Sequence, residues 1–189
     1  MKGFGSHKKS QNKKIKSSKE DNFKEQIINK ALKSHSKGNI TEATKYYQSC
    51  IKQGYKDFRV FSNYGLILIG LGKLKEAELS LRKAITLKPN FAGAHLNLGN
   101  ILKALGKFEE AELSIRKAIA LKPDYSKAYY NLGVLFKDLG RLQEAELSIR
   151  RAIELNPSFA EAHYNLAILL INLGRLQEAE LSIRRAIEL

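Results

Sequence analysis

An all-α solenoid of stacked helix pairs is the fold class predicted for this 189-residue chain, and three observations predict it. First, landmark residues return at a step of 34: Pro89, Pro123 and Pro157; Gly72, Gly106, Gly140 and Gly174; Ala77, Ala111, Ala145 and Ala179. Second, apolar residues between these landmarks fall at helical rather than alternating spacing. Third, the chain repeats itself outright, since Leu139–Leu155 and Leu173–Leu189 are identical over all seventeen residues. A fixed period of this length means one supersecondary unit stacked on copies of itself, with a core shared between neighbours.

Residues 58–91 show how one unit is built. Phe61, Tyr64, Gly65 and Leu68 mark a first helix, which Gly72 ends by permitting the left-handed backbone common at helix C-termini. Leu74, Ala77, Leu81, Ala84 and Ile85 mark a second, which stops at Lys88-Pro89-Asn90 because proline cannot continue it. Small residues at Gly65 and Ala77 let the two helices approach. Glu78 and Arg82 form an i,i+4 pair in the favourable order, and the pair returns as Glu112/Arg116, Glu146/Arg150 and Glu180/Arg184 on a solvated face. The same reading divides the chain into a basic, disordered tail over residues 1–23 and an array over 24–189. The array comprises a degenerate copy at 24–57, intact copies at 58–91, 92–125 and 126–159, and an incomplete one at 160–189. In the degenerate copy Ala31, Gly38, Ala43, Tyr47 and Cys50 keep register, but Tyr55 stands where proline is expected.

Composition excludes several function classes. No apolar run approaches the roughly 20 residues of a membrane span, and the Lys-rich beginning lacks the apolar core of a secretory signal. Cys50 is the only cysteine, so no disulfide framework exists and a reducing cytosol is the simplest home. No Cys/His cluster has metal-ligand spacing, and no nucleophile motif, phosphate-binding glycine loop or catalytic constellation is visible. The chain reads as a non-enzyme without metal or cofactor. His95 and His163 occupy an aromatic packing position; His7 and His35 are isolated. The net charge of +14 is uneven: residues 1–22 set seven lysines against Glu20 and Asp21, whereas residues 160–189 are slightly acidic. Such a gradient suits acidic proteins, nucleic acid or anionic surfaces, although a Lys/Ser/Asn/Gln-rich tail is commonly only a solvating segment.

The pattern Phe61-x-x-Tyr64-Gly65-x-x-Leu68…Ala77-x-x-x-Leu81-x-x-Ala84…Pro89 closely resembles the tetratricopeptide repeat. His95, Leu98, Gly99, Leu102, Ala111, Ile115, Ala118 and Pro123 carry it in the next unit, and Tyr129, Leu132, Gly133, Phe136, Ala145, Ile149, Ala152 and Pro157 in the one after. The last unit has His163, Leu166, Leu170, Ala179, Ile183 and Ala186, with Ala167 replacing the usual glycine. The resemblance implies a right-handed superhelix whose first (A) helices line a concave groove and whose second (B) helices form the convex back. It also implies a protein or peptide ligand in the groove.

Under that expectation, the groove rows read Ser62, Leu96, Tyr130, Tyr164; Leu66, Asn100, Val134, Ile168; and Ile69, Lys103, Lys137, Ile171. The scaffold repeats while the expected lining varies. One position does not vary: Asn63, Asn97 and Asn131 return in the three intact copies and Asn165 in the incomplete last one, although asparagine is only a mediocre helix former. An amide side chain donates and accepts, matching both faces of a peptide unit. The row therefore resembles the asparagine ladder in the repeat superhelix of O-linked N-acetylglucosamine transferase-type proteins. The alternative is that each amide bonds a neighbouring helix and fixes the stacking. Tyr130 and Tyr164 offer anchors beside the ladder and Asn100, while Lys103, Lys127 and Lys137 favour acidic peptides. The resulting expectation is a peptide-binding scaffold. A second reading is the substrate-recruiting part of a larger glycosyltransferase- or sulfotransferase-type enzyme. Leu189 falls inside the fifth copy, where Leu181, Ala186 and Ile187 are expected to face solvent and to offer a surface for self-association.

Overall fold

The computed structural model describes residues 4–189, with side chains described from residue 20 onward. Those residues form ten α-helices and no strand. They are α1 (Phe4–Ser36), α2 (Ile40–Lys52), α3 (Phe58–Gly70), α4 (Leu74–Leu87), α5 (Ala92–Ala104), α6 (Phe108–Leu121), α7 (Ser126–Asp138), α8 (Leu142–Leu155), α9 (Ala160–Asn172) and α10 (Leu176–Glu188). Odd helices are the A helices and even ones the B helices of five successive pairs, as the 34-residue period requires. Where the sequence predicts a disordered tail, helix α1 continues back to Phe4, and residues 1–3 lie outside the described residues. No proline interrupts that stretch, and its lysines and glutamines are good helix formers. The first side chains of α1 to enter the core are Ile28 and Ala31.

Every A–B turn closes the same way. The glycine takes a left-handed φ, +71° at Gly72, +74° at Gly106, +72° at Gly140 and +74° at Gly174. The next residue then donates its N–H across the helix end: Lys73 to Leu68, Lys107 to Leu102, Arg141 to Phe136 and Arg175 to Leu170, all at 2.8–2.9 Å. This is the six-to-one bond that satisfies orphan carbonyls at a helix C-terminus. In the first copy Gly54, at φ +73°, ends α2 just before Tyr55, so a glycine does the work that proline does in later copies.

The core comprises two clusters that adjoin at α3, one around Ile28, Ala31, Ala43, Tyr47, Cys50, Val60 and Ile67 and a longer one running from Leu68 to Ala179, with Tyr64 packed against both. Ala77, Leu81 and Ala84 of α4 are fully buried, as are Ala111, Ile115 and Ala118 of α6 and Ala145, Ile149 and Ala152 of α8. The glycines of the A helices make that packing possible. A Cβ at Gly133 would lie 2.5 Å from Ile149 Cγ1 and 3.0 Å from the Ala145 carbonyl oxygen; at Gly99 the distances to Ile115 and Ala111 are 2.5 and 3.2 Å. Hydroxyls reinforce the contact: Ser80 donates to the Phe61 carbonyl at 2.8 Å and Ser114 to that of His95 at 3.0 Å. His95 and His163 are half-buried rather than core residues. Their Nε2 atoms lie 2.8 and 3.0 Å from the carbonyls of Pro89 and Pro157, tying each proline turn to the following A helix.

Successive A helices (α3 and α5, α5 and α7, α7 and α9) approach each other more closely than successive B helices do. The stack therefore bends with its A helices inside and its B helices splayed outside.

Candidate functional site: the concave face

The inner face is built from the exposed sides of α3, α5, α7 and α9. Because these helices are close, short polar side chains can span the seams between them. Asn131 donates through Nδ2 to Asn100 Oδ1 at 2.7 Å, linking α7 to α5. Asn165 donates to the Tyr130 hydroxyl at 2.9 Å and to the Glu161 carbonyl at 3.0 Å, and accepts from Lys137 Nζ at 3.1 Å. Lys103 pairs with Asp138 across the α5–α7 seam at 2.8 Å. Asn63 donates within its own helix to the Arg59 carbonyl at 2.8 Å, and Asn97 makes no side-chain hydrogen bond among the described residues. The four ladder asparagines thus share a register but not a set of partners, and two of them tie helices together.

The varied rows are also unequal. Ser62 and Leu96 are buried rather than open to the groove. That row sits at the seam with the next A helix, as Tyr130 shows: its ring packs against Phe159 with centroids 4.9 Å apart. Burial raises the Tyr130 phenol above its usual range, with a further contribution from the Glu161 carboxylate. The last member, Tyr164, is 56% exposed. Lys127 is exposed, while Asn97, Asn100, Lys103, Asn131 and Lys137 are half-buried. Leu66 and Ile171 present apolar surface on α3 and α9. The exposed and half-buried A-helix residues thus comprise amides and lysines in the middle pairs and apolar side chains at the two ends.

The outer face uses a different chemistry for the same purpose. Splayed B helices need long side chains to bridge them. Lys107 reaches back to Glu78 at 2.9 Å, Arg141 to Glu112 at 2.7 Å and Arg175 to Glu146 at 2.8 Å. Each of these glutamates also holds its i,i+4 arginine, Arg82, Arg116 or Arg150. Arg82 and Arg150 reach forward as well, to Glu110 at 2.6 Å and Glu178 at 2.9 Å. Lys107 and Arg82 hold the Glu78 carboxyl below its usual range; for Glu112, burial pushes upward but Arg116 and Arg141 more than offset it. Sequence reading found the i,i+4 pairs and missed these cross-repeat bonds. Their signal was a basic residue directly after every turn glycine from Gly72 onward. At the other end of the stack, Arg59 joins α3 to α1 through Glu25 at 2.7 Å and also holds Asp57, the N-cap of its own helix, at 2.8 Å.

Cys50 is a free, buried thiol, raised in pKa chiefly by that burial. Among the described residues no group of three or more His, Cys, Asp or Glu side chains could hold a metal ion. Nor is any described helix long and apolar enough to cross a membrane.

Helix pairs in tandem, glycine turns and an A–B seam repeated from pair to pair define a helical-repeat protein with an inner, variable face. The model of the cilia and flagella-associated protein 70 middle TPR-like domain matches residues 30–145, and a tetratricopeptide repeat model matches residues 137–189. The chain belongs to the tetratricopeptide repeat family. Among solved structures, a crystal structure of MamA is 25% identical with a TM-score of 0.74, over 84% of this chain and 92% of that one. MamA from Desulfovibrio magneticus RS-1 (41-end) is 21% identical with a TM-score of 0.77, over 87% and 93%. The thermophilic TPR protein TTC0263 of Thermus thermophilus is 21% identical with a TM-score of 0.72, over 87% and 90%. No curated protein matches the chain.

Proposed function

We propose that this protein is a non-catalytic scaffold that holds an extended segment of a partner protein in its concave groove, in a reducing cytoplasmic setting. The observation that carries the reading is the contrast between the two faces. Convex residues repeat from copy to copy, while the inner rows change identity around a constant amide. Asn97 and Asn100 bring unused N–H donors, and Asn131 keeps an open carbonyl oxygen, so the centre of the groove can bond a peptide backbone. Lys127 and Lys137 favour acidic side chains beside that backbone, and Tyr130 and Tyr164 supply flat apolar surface. Asn63 and Asn165 sit at the flanks of the same ladder.

Selection of a random dodecapeptide library on the immobilised protein tests the groove, with recovered peptides re-measured on the Asn97→Ala/Asn131→Ala double variant. Each amide bond contributes about 0.5–1.5 kcal/mol, so affinity should fall by about fivefold to a hundredfold while the helical circular dichroism signal is kept. Peptides that bind the double variant as tightly as the parent would contradict a backbone-gripping groove.

A further inference from the structure

One edge of the array carries charge that the fold does not neutralise. At this edge each B helix ends and the next A helix begins, so four equivalent segments, one period of 34 apart, lie along it. Residues 49–59 set Lys52, Lys56 and Arg59 against Asp57. Residues 83–93 set Lys83 and Lys88 against no acid, and residues 117–127 set Lys117, Lys122 and Lys127 against Asp124. In residues 151–161 the balance reverses, with Arg151 facing Glu154 and Glu161.

The lysines of the three basic segments are free. All are exposed except Lys88, which is half-buried, and none forms an ion pair among the described residues. The opposite edge differs: Lys73, Lys107, Arg141 and Arg175, which follow the turn glycines, are all ion-paired. Aromatic rings are interleaved with the free lysines. Lys88 Nζ stands 4.4 Å from the ring centroid of Phe58 and 5.8 Å from that of Phe91, and Lys122 Nζ stands 5.1 Å from that of Tyr125. Asn156 takes the equivalent place in the fourth segment, so the pattern stops there. None of the exposed large apolar side chains lies in the three basic segments. The lysine-rich beginning of the chain joins the array at this same edge, because α1 is an A helix and A helices start there.

We propose that this edge is a second binding surface, distinct from the concave groove, and that its occupant is the sugar–phosphate backbone of a single-stranded nucleic acid. Charge and the lack of apolar anchors select the class. A folded acidic partner needs an apolar interface core, which the edge does not offer, whereas phosphates bind through unpaired cations alone. The edge also follows the bend of the stack, and a flexible strand can track a curve that a flat bilayer meets at only a few points. The rings favour a single strand over a duplex. An ammonium that turns from Phe91 or Tyr125 to a phosphate uncovers a ring face, on which an unpaired base can stack. With no carboxylate or amide row to read base edges, binding is independent of sequence.

Fluorescence anisotropy of a fluorescein-labelled oligouridylate of about 15 nucleotides, titrated with the full chain, tests the edge. If each of the six exposed lysines neutralises one phosphate, log K should fall with log salt at a slope of about −4. Lys83→Gln/Lys117→Gln/Lys122→Gln should reduce the slope to about −2 and weaken binding at least about tenfold at low salt. The matched variant Lys37→Gln/Lys73→Gln/Lys75→Gln removes the same charge from the opposite edge. It should keep the slope and bind within about threefold of the parent. All six side chains are exposed, so thermal melting should be unchanged in both variants. The concave Asn97→Ala/Asn131→Ala variant should bind the strand as the parent does, which separates this surface from the groove. Equal losses in the two lysine variants, or indifference to both, would overturn the proposal, because net charge or the lysine-rich beginning would then be the determinant. So would a glutamate oligomer of equal charge, or phosphatidylserine vesicles, binding as tightly and losing as much to the edge substitutions. An acidic protein or a membrane would then be the occupant. A duplex of equal length that binds more tightly than the single strand would overturn the choice of strand.

Discussion

The seventeen residues Leu139–Leu155 and Leu173–Leu189 are the same sequence in two surroundings. In the first, Ile149 and Ala152 are fully buried and Leu142 is half-buried, because α8 is covered by α7 on one side and α9 on the other. In the second, Ile183 and Ala186 are only partly buried, and Leu176 and Ile187 are 65% and 80% exposed. The ion pairs follow suit. Arg150 holds both Glu146 and Glu178, while Arg184 holds Glu180 alone. Identical local propensity thus gives helices with unequal burial, and the difference is supplied by the following helix pair. A repeat in this chain takes its stability from its neighbours as much as from itself.

Matched substitutions at equivalent positions sharpen that contrast. The largest effect is expected in the seam: Ile149→Ala should cost about 2–5 kcal/mol in urea-unfolding stability, as a fully buried isoleucine does. Ile183→Ala should cost less than about 2 kcal/mol, since that side chain is already partly in water. Equal losses would break the comparison.

Next come the close approaches of A and B helices. Gly133→Ala forces a methyl to within 2.5 Å of Ile149 and should destabilise by about 1–3 kcal/mol. The last pair already holds alanine at the equivalent Ala167, fully buried. There the reverse change, Ala167→Gly, should cost only about 0.5–1 kcal/mol, through helix entropy. Thermal melting of the two single variants checks both signs.

The smallest effects belong to the convex ion pairs. Glu112→Gln releases Arg116 and Arg141 together and should cost about 0.5–1 kcal/mol, while Glu180→Gln releases one exposed pair and should cost at most about 0.5 kcal/mol. Acid acts on the same carboxylates. Glu25, Glu78 and Glu112 have folded pKa values held below the usual carboxylate range. The unfolded chain therefore binds more protons in that range, and stability rises with pH there. The contribution is complete above the unfolded carboxylate pKa of about 4.3 and is lost as pH falls through the depressed folded values. Urea midpoints measured between pH 7 and 3 should decline toward acid, less steeply in Glu112→Gln.

Much of this fold was legible in the residues because its signals are local. The step of 34 located the helix pairs, the glycines located left-handed turns, and Gly65 and Ala77 located the close seam. Even the degenerate first copy declared its core, since Ala31, Ala43, Tyr47 and Cys50 are all fully buried. What was not legible depends on curvature. Whether Asn131 meets Asn100, or Arg141 meets Glu112, is decided by how far apart successive helices lie on each face. That distance is set by the bend of the whole stack. The same bend buries Ser62 and Leu96, which the sequence alone places in the groove. The histidines illustrate a third limit: spacing put His95 in the packing position, but only the turn geometry reveals its bond to the Pro89 carbonyl.

Amide hydrogen exchange followed by NMR compares the two identical segments most directly, because equal sequence gives them equal intrinsic exchange rates. If neighbours supply the stability of each repeat, the amides of Ile149 and Ala152 should exchange at least about tenfold more slowly than those of Ile183 and Ala186. Equal protection of the two pairs would show that each repeat is stable in its own right, and would contradict the account.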